Sequence, residues 1–238
     1  MEKKLNGPNE MKEIIVKAEN LSKIYGSGSS KVVALDSVNL EIYKGEIVAI
    51  LGPSGSGKTT LLNLLAGLDV PTSGTIVIDG QEITKMSEEE KAKFRAKNMG
   101  FIFQFFNLIP VLTAVENVEL PLLLNKVPVV DARKRALELL ELMGISHRKD
   151  AYPSQLSGGE QQRVSIARAL STTPKIIWAD EPTGALDVKN GEQIKKLIIE
   201  LNREFGTTFV IVTHDQSVAQ IANRIMRMES GRIVEVIG

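Results

Sequence analysis

The octapeptide GPSGSGKT, Gly52 to Thr59, constrains this chain more than any other feature. It fits G-x-x-x-x-G-K-[ST] and has suitable flanks: the apolar run Ile47 to Leu51 precedes it, and TTLLNLLAGL follows with helical character. Gly52, Gly55 and Gly57 let backbone N–H groups wrap a phosphate chain, with Pro53, Ser54 and Ser56 filling the loop between them. Lys58 offers a point charge to the β- and γ-phosphates, and the Thr59 hydroxyl can ligate Mg²⁺. Thr60 follows in the first helical turn, whose N-terminus adds partial positive charge. A strand, a phosphate loop and a helix in this order commit the chain to an α/β core that binds nucleotide.

Two more runs, Ile176 to Ala179 and Thr208 to Val212, share the β-rich, uninterrupted apolar character of Ile47 to Leu51. That is the pattern of strands covered on both faces in a parallel sheet. Between them lie helical periodicities. Ile194, Leu197, Ile198 and Leu201 make one face that ends near Gly206; Ala136, Leu139, Leu140 and Met143 make another, between an N-cap at Asp131 and Gly144. Ser87 and Glu90 have capping-box spacing, as do Ser157 and Glu160. Leu35, Val38, Leu40 and Ile42, then Thr75 to Ile78, read as twisted antiparallel strands turning at Gly45 and Gly80.

The expected fold is therefore α/β: a P-loop NTPase core with a mainly parallel sheet, an antiparallel β subdomain and an inserted α-helical lobe. Residues 1–12 read as a polar extension. Residues 13–238 form a single domain, with core about 13–100 and 168–238 and helical lobe about 101–167.

Composition narrows the chemistry. The chain has no cysteine, which removes disulfides and thiol catalysis, and two histidines, too few for a multi-histidine zinc centre. Lys+Arg and Asp+Glu are both 29, so no basic excess argues for nucleic acid. The most apolar stretch, FIFQFFNLIPVLTAV, is broken by Gln104, Asn107 and Pro110 and falls short of the ~18 residues of a membrane span. A soluble, cytoplasmic chain is expected.

Further motifs supply the remaining parts. In KIIWADEPTGALD an apolar strand ends in Asp180, the carboxylate that the metal side of a P-loop site needs, and Glu181 follows as a general base for water. His214 directly follows the run FVIVT, where an imidazole can orient water or steady developing charge. Gln104 in FIFQFF is either a metal or water ligand or a satisfied buried amide. Tyr25, in a loop before the first long strand run, either stacks on adenine or packs in the core. Gly158 and Gly159 weaken the first turn of the helix capped by Ser157 and bare its N-terminus, an anion site. That site closes on the same phosphate as Lys58 or on one held by another chain.

The ordered set Tyr25, GPSGSGKT, Gln104, LSGGE, IIWADE, ALD and His214 resembles the ATP-binding subunit of ABC transporters, over essentially the whole chain after about residue 12. The resemblance implies the ABC ATPase fold and a head-to-tail dimer in which the LSGG of each copy completes the ATP site of the other. Carried onto matching positions, Tyr25 stacks on adenine, and Gly52 to Thr60 with Gln104 form the ATP site. Thr59 and Gln104 ligate Mg²⁺, with Asp180 mainly behind them. Lys58, Glu181 and His214 are the catalytic set, Glu181 as base and His214 as switch. Ser157, Gly158 and Gly159 contact the partner's ATP, and Asp187 lies in the loop linking the two sites. Two departures are mild: GALD stands where SALD is commoner, and Glu160 replaces the usual glutamine while preserving the cap.

FQFFNLIPVLTAVENVELPLLL and ADEPTGALD resemble the branch of macrolide exporters and lipoprotein-releasing complexes. This implies an integral membrane permease docking near Phe105, Phe106, Leu108 and Ile109, and a peripheral place on the cytoplasmic face of the membrane. The alternative is a non-transport relative regulating a cell-envelope or cell-division complex. A soluble nucleic-acid ATPase fits less well, because the chain lacks the long coiled-coil or zinc insertions of those relatives.

Overall fold

The computed structural model describes residues 13–238; the polar extension at 1–12 lies outside the described residues. The chain runs through β1 (Ile14–Tyr25), β2 (Val32–Tyr43), β3 (Ile47–Leu51), α1 (Lys58–Leu65), β4 (Ser73–Ile78), β5 (Gln81–Glu82) and α2 (Glu88–Asn98). It continues with β6 (Met99–Phe103), α3 (Ala114–Leu124), α4 (Val129–Leu142), α5 (Gly158–Leu170), β7 (Ile176–Asp180) and α6 (Val188–Phe205). The last elements are β8 (Thr208–Thr213), α7 (Gln216–Ala219), β9 (Arg224–Glu229) and β10 (Arg232–Ile237).

Two sheets result. β2, β1, β4 and β5 form an antiparallel sheet in that order; β10, β9, β3, β8, β7 and β6 form a second. Within the second, β9, β3, β8, β7 and β6 are parallel, and β10 closes the edge as a hairpin arm. The three apolar runs occupy its centre as β3, β8 and β7.

The period of two in a strand explains why these runs are apolar throughout. Val48 and Ile50, Val210 and Val212, and Ile176 and Trp178 face a core shared with α1 and the antiparallel sheet. Ile47, Phe209, Ile211, Ile177 and Ala179 face a second core made with α3 to α6. Each fully buried aliphatic or aromatic chain contributes roughly 1.5–3 kcal/mol of transfer free energy, so both faces are required.

Helix α6 starts on the Asp187 carboxylate, which accepts from the Asn190 N–H at 2.9 Å, and stops at Gly206 with φ 63°. It buries Ile194, Leu197, Ile198 and Leu201, as the periodicity predicts. The capping boxes at Ser87–Glu90 and Ser157–Glu160 are both closed.

Several expectations are corrected. Asp131 does not cap α4: the helix begins at Val129 after Pro128, and Asp131 lies in the first turn. Proline presets its own φ and needs no N–H partner at a helix start, while the aspartate still faces the positive end of the dipole. The parallel sheet extends past residue 100, because Met99 to Phe103 pair with β7 as β6, with Phe101 and Phe103 stacked 6.0 Å apart on one face. Tyr25 is the last residue of β1, paired with Val32, rather than part of a loop.

Candidate active site

The loops after β3, β6, β7 and β8 leave neighbouring parallel strands at their carboxyl ends, where α/β sheets bind ligands. They enclose a cleft of about 530 Å³ lined by Gly52, Pro53, Ser54, Gln104, Glu181 and His214. Residues from four well-separated parts of the sequence therefore share one site.

In the phosphate loop the backbone passes close to other strands. A Cβ on Gly52 would lie 2.2 Å from the Met228 carbonyl oxygen. One on Gly57, whose φ is 98°, would lie 2.5 Å from that of Ala34. Side chains at either position would push the loop off β9 or β2. Lys58 opens α1, and its buried ammonium donates to the Gly52 and Pro53 carbonyls, each at 2.8 Å. Among the described residues the buried Ser56 hydroxyl has no hydrogen-bond partner, a free donor within a loop suited to an anion.

Asp180 ends β7. Burial and the adjoining Glu181 charge raise its carboxyl pKa, while Lys58 and a hydrogen bond with Thr59 act in the opposite direction. Among the described residues no group of three His, Cys, Asp or Glu forms a metal cage. The hydroxyl, amide and carboxylate oxygens of Thr59, Gln104 and Asp180 suit Mg²⁺, which normally takes one or two protein oxygens together with substrate phosphates.

Glu181 stands in the left-handed region, φ 47°, where strain commonly marks functional positions. Its N–H donates to the Val212 carbonyl at 2.9 Å. One carboxylate oxygen accepts from the Thr213 hydroxyl at 2.9 Å; the other accepts from the His214 N–H at 3.0 Å and lies 2.6 Å from His214 Nδ1. The carboxylate is held on both sides while the imidazole is largely exposed.

Tyr25 is 43% exposed, with its hydroxyl donating to Asp69 at 2.8 Å. Lys23 bridges to the same carboxylate at 2.7 Å and lies 4.8 Å from the ring centroid. Burial raises the Tyr25 pKa, the Asp69 hydrogen bond adds to the shift, and Thr60 acts in the opposite direction.

The LSGGE turn is not part of this cleft's lining. Ser157 caps α5 by accepting from the Glu160 N–H, and the Glu160 carboxylate accepts from the Ser157 N–H at 2.8 Å. A Cβ on Gly159 would lie 2.7 Å from the Asn190 side chain, and one on Gly158 3.6 Å from the Phe106 ring. Asn190 also donates through Nδ2 to Asp187 at 2.7 Å, so the Asp187 loop and the LSGGE turn adjoin in the same chain.

The ABC transporter family model matches residues 35–184. An uncharacterized ABC transporter ATP-binding protein of Methanocaldococcus jannaschii is 52% identical over 223 residues, 94% of this chain and 99% of the relative. The lipoprotein-releasing system ATP-binding protein LolD of Pseudoalteromonas translucida is 48% identical over 94% of this chain and 96% of its own length. This chain belongs to the ABC transporter family. Among solved structures, the dimeric post-hydrolysis state of the ATP-binding cassette MJ0796 bound to ADP and Pi aligns with a TM-score of 0.87 at 47% identity, covering 94% of this chain and 98% of that one. The cbiO1 structure from Clostridium perfringens, part of the cbiONQ transporter complex, aligns at 0.84 and 33% identity, over 94% of this chain and 88% of that one.

The ABC fold and an ATP-hydrolysing subunit are thus established for the chain. Of the sequence-selected residues, the structure gathers the phosphate loop, Gln104, Asp180, Glu181 and His214; Tyr25 stands outside that lining, bonded to Asp69. Ser157, Gly158, Gly159 and Asp187 form a separate cluster. Sequence reasoning missed Thr213, whose hydroxyl both orients Glu181 and accepts from the Asp215 N–H at 3.0 Å; a threonine ending a β-rich run carries no signal. It also missed the capping box at Thr113 and Glu116, whose T-x-x-E spacing was there to be read.

Of the residues expected to meet a permease, Phe105 is exposed, Leu108 packs against the second core, and the Phe106 ring lies beside Gly158. A separate apolar groove of about 320 Å³ is lined by Phe101, Phe103, Asn107, Leu120, Leu124 and Arg168, among others. Among the described residues no helix is long and apolar enough to cross a membrane.

Proposed function

We propose that two copies of this chain bind Mg·ATP between them, head to tail, each supplying Ser157, Gly158 and Gly159 to the nucleotide held by the other's phosphate loop. The observation that carries this reading is the separation, in one chain, of a one-sided phosphate cleft from a capped, glycine-opened helix N-terminus. A helix end of that kind favours an anion, and the dimeric MJ0796 cassette structures supply the family geometry.

In this reading Thr59 and Gln104 would hold Mg²⁺, with Asp180 behind Thr59, and the ion would supply positive charge to the nucleotide's phosphates. Glu181 accepts a proton from water as the water oxygen bonds to the γ-phosphorus and the bond to the ADP oxygen breaks. Thr213 and the His214 N–H keep the carboxylate aimed. Lys58, His214 and the partner's helix N-terminus meet the charge developing on the phosphoryl oxygens. Tyr25 stacks on adenine.

The cassette then drives a separately encoded membrane permease, which places it on the cytoplasmic face of the membrane. The docking surface is the groove between Phe101, Phe103, Leu120 and Leu124, with Phe105 exposed on the adjoining loop. The relationship to LolD supports the exporter or force-transmitting branch.

Mixing tests the shared site. Lys58→Ala and Ser157→Arg chains are each expected to be inactive. In a 1:1 mixture half the dimers are mixed and each carries one intact site, so ATPase activity should return to about one quarter of the native level for independent sites. No recovery despite mixed dimers seen by native mass spectrometry would overturn the reading.

A further inference from the structure

The loop that follows Gln104 is gripped by α5 at two consecutive carbonyls. Arg168 Nη2 donates to the Phe106 oxygen at 2.8 Å and Nη1 to the Asn107 oxygen at 2.5 Å. Both loop residues have left-handed backbones, with φ 61° and 48°. That region is rare for non-glycine residues and a marked outlier for a bulky aromatic. The Asn107 N–H also donates to the Phe105 carbonyl at 2.6 Å, across the short reach of a γ-turn. Strain of this kind persists only where the surroundings over-determine it.

The guanidinium is an unusual holder. It is substantially desolvated, which lowers its pKa, and among the described residues no carboxylate pairs with it. A desolvated cation answered only by carbonyl dipoles is a costly way to stabilise a helix. It is well suited to forking across two neighbouring oxygens. The loop it grips begins beside the nucleotide cleft: Gln104 lines that cleft and packs so closely on Gly184 that a Cβ there would lie 2.9 Å from its amide nitrogen. The same turn lies along the apolar groove, which Asn107 and Arg168 both line.

We propose that Arg168 is a positioning residue for Gln104: by clasping the strained Phe106–Asn107 turn, it sets where the glutamine amide stands in the nucleotide cleft. The clasp is read from the geometry alone; its effect on turnover rests on the reading of Gln104 as a ligand of the nucleotide's metal. Without Arg168 the turn relaxes toward ordinary backbone angles and Gln104 is displaced, while the phosphate loop and Tyr25 stay in place.

The test uses the full chain with Arg168→Ala, Arg168→Met and Arg168→Ala combined with Phe106→Gly and Asn107→Gly. Arg168→Ala should lower kcat about tenfold with KM for ATP changed less than about twofold, the split expected when binding contacts survive and positioning is lost. The two glycines should restore at least part of that loss, because glycine takes the left-handed turn without steric cost; a residue that only stabilises α5 would show no such rescue. Without nucleotide, hydrogen exchange should quicken at amides 105–109 in Arg168→Ala and stay unchanged at 160–166. Unchanged exchange at 105–109 would overturn the clasp. Quickened exchange with native kcat and KM would overturn the positioning role. Should Arg168→Ala not fold, Arg168→Met, which keeps an aliphatic stem but has no donor for either carbonyl, carries the same readouts. Failure of chain mixing with intact exchange results would count against the shared site and leave the clasp standing.

Discussion

Glu160 is the residue after LSGG in which this chain departs from the commoner glutamine, and the structure shows what replacing it removes. Its carboxylate accepts from the Ser157 N–H at 2.8 Å and from the Ser157 hydroxyl at 2.8 Å, and pairs with Arg148 at 3.2 Å. Hydrogen bonds from Ser157, its backbone N–H foremost, hold the Glu160 carboxyl below the usual carboxylate range. Glu160→Ala strips the Ser157 N–H of its acceptor, about 1 kcal/mol. It also loses the N-terminal dipole interaction and a partly exposed ion pair, about 0.5 kcal/mol each. Against this stands the better helix propensity of alanine, about 0.5 kcal/mol. The net is about 1.5 kcal/mol, or a Tm lower by about 3–6 °C for a domain of this size. Glu160→Gln keeps the N–H acceptor and loses the dipole and ion-pair contributions, about 1 kcal/mol together, so its Tm should fall about two-thirds as much.

The pH dependence follows in sign. A carboxyl with depressed pKa in the folded state contributes stability that is fully present above its unfolded value, about 4.3. That contribution is lost as pH falls through the lower folded value. The gap between native chain and Glu160→Ala should therefore be constant near neutrality and shrink below about pH 4. Thermal melts by circular dichroism from pH 3.5 to 8 read this directly. Equal Tm values at pH 7 for the native and alanine chains would refute the reasoning.

Two more outcomes follow from the site. Glu181→Gln should bind ATP, hydrolyse it at least about a hundredfold more slowly for want of a general base, and persist as an ATP dimer on gel filtration. Tagged and carried through detergent-solubilised host membranes with Mg·ATP, it should retain a membrane permease; soluble partners alone would sink the transporter assignment of the partner. Asp180 has a raised folded pKa, from burial first and Glu181 second. Its contribution to stability therefore falls as pH rises from the ordinary carboxylate range through that raised value. Asp180→Asn should melt about 2–4 °C higher at pH 8, a gain of about 1 kcal/mol after solvent screening of a partly exposed group. That gain should shrink toward pH 4, and ATPase activity should be lost; a lower Tm at pH 8 would refute the burial argument.

Local chemistry was legible wherever one segment makes a whole structural unit. GPSGSGKT needs only its own glycines, lysine and threonine to declare a phosphate loop. The runs at β3, β7 and β8 declare parallel strands because both their faces must be apolar, and S-x-x-E declares a cap because its partners are three residues apart. Errors arose where two local signals competed. Asp131 is a residue type that caps helices, yet α4 starts earlier, at Val129 after Pro128. Phe101 and Phe103 fall within the expected helical lobe because a short apolar run has no decisive period, and pairing with β7 makes them a strand.

The sequence by itself determined the nucleotide, the α/β core, the order of its motifs and the residue types that carry the chemistry, since each is written in contiguous residues. Tertiary structure alone decided which of those residues meet. It brought Gln104, Glu181 and His214 to one cleft with the phosphate loop, because parallel strands end at one edge of a sheet whatever their order in the chain. It set Ser157 to Gly159 apart from that cleft and against Asn190. It placed Thr213 behind Glu181 and Arg168 beneath a strained turn, contacts between residues far apart in sequence whose only signature is where the folded backbone brings them.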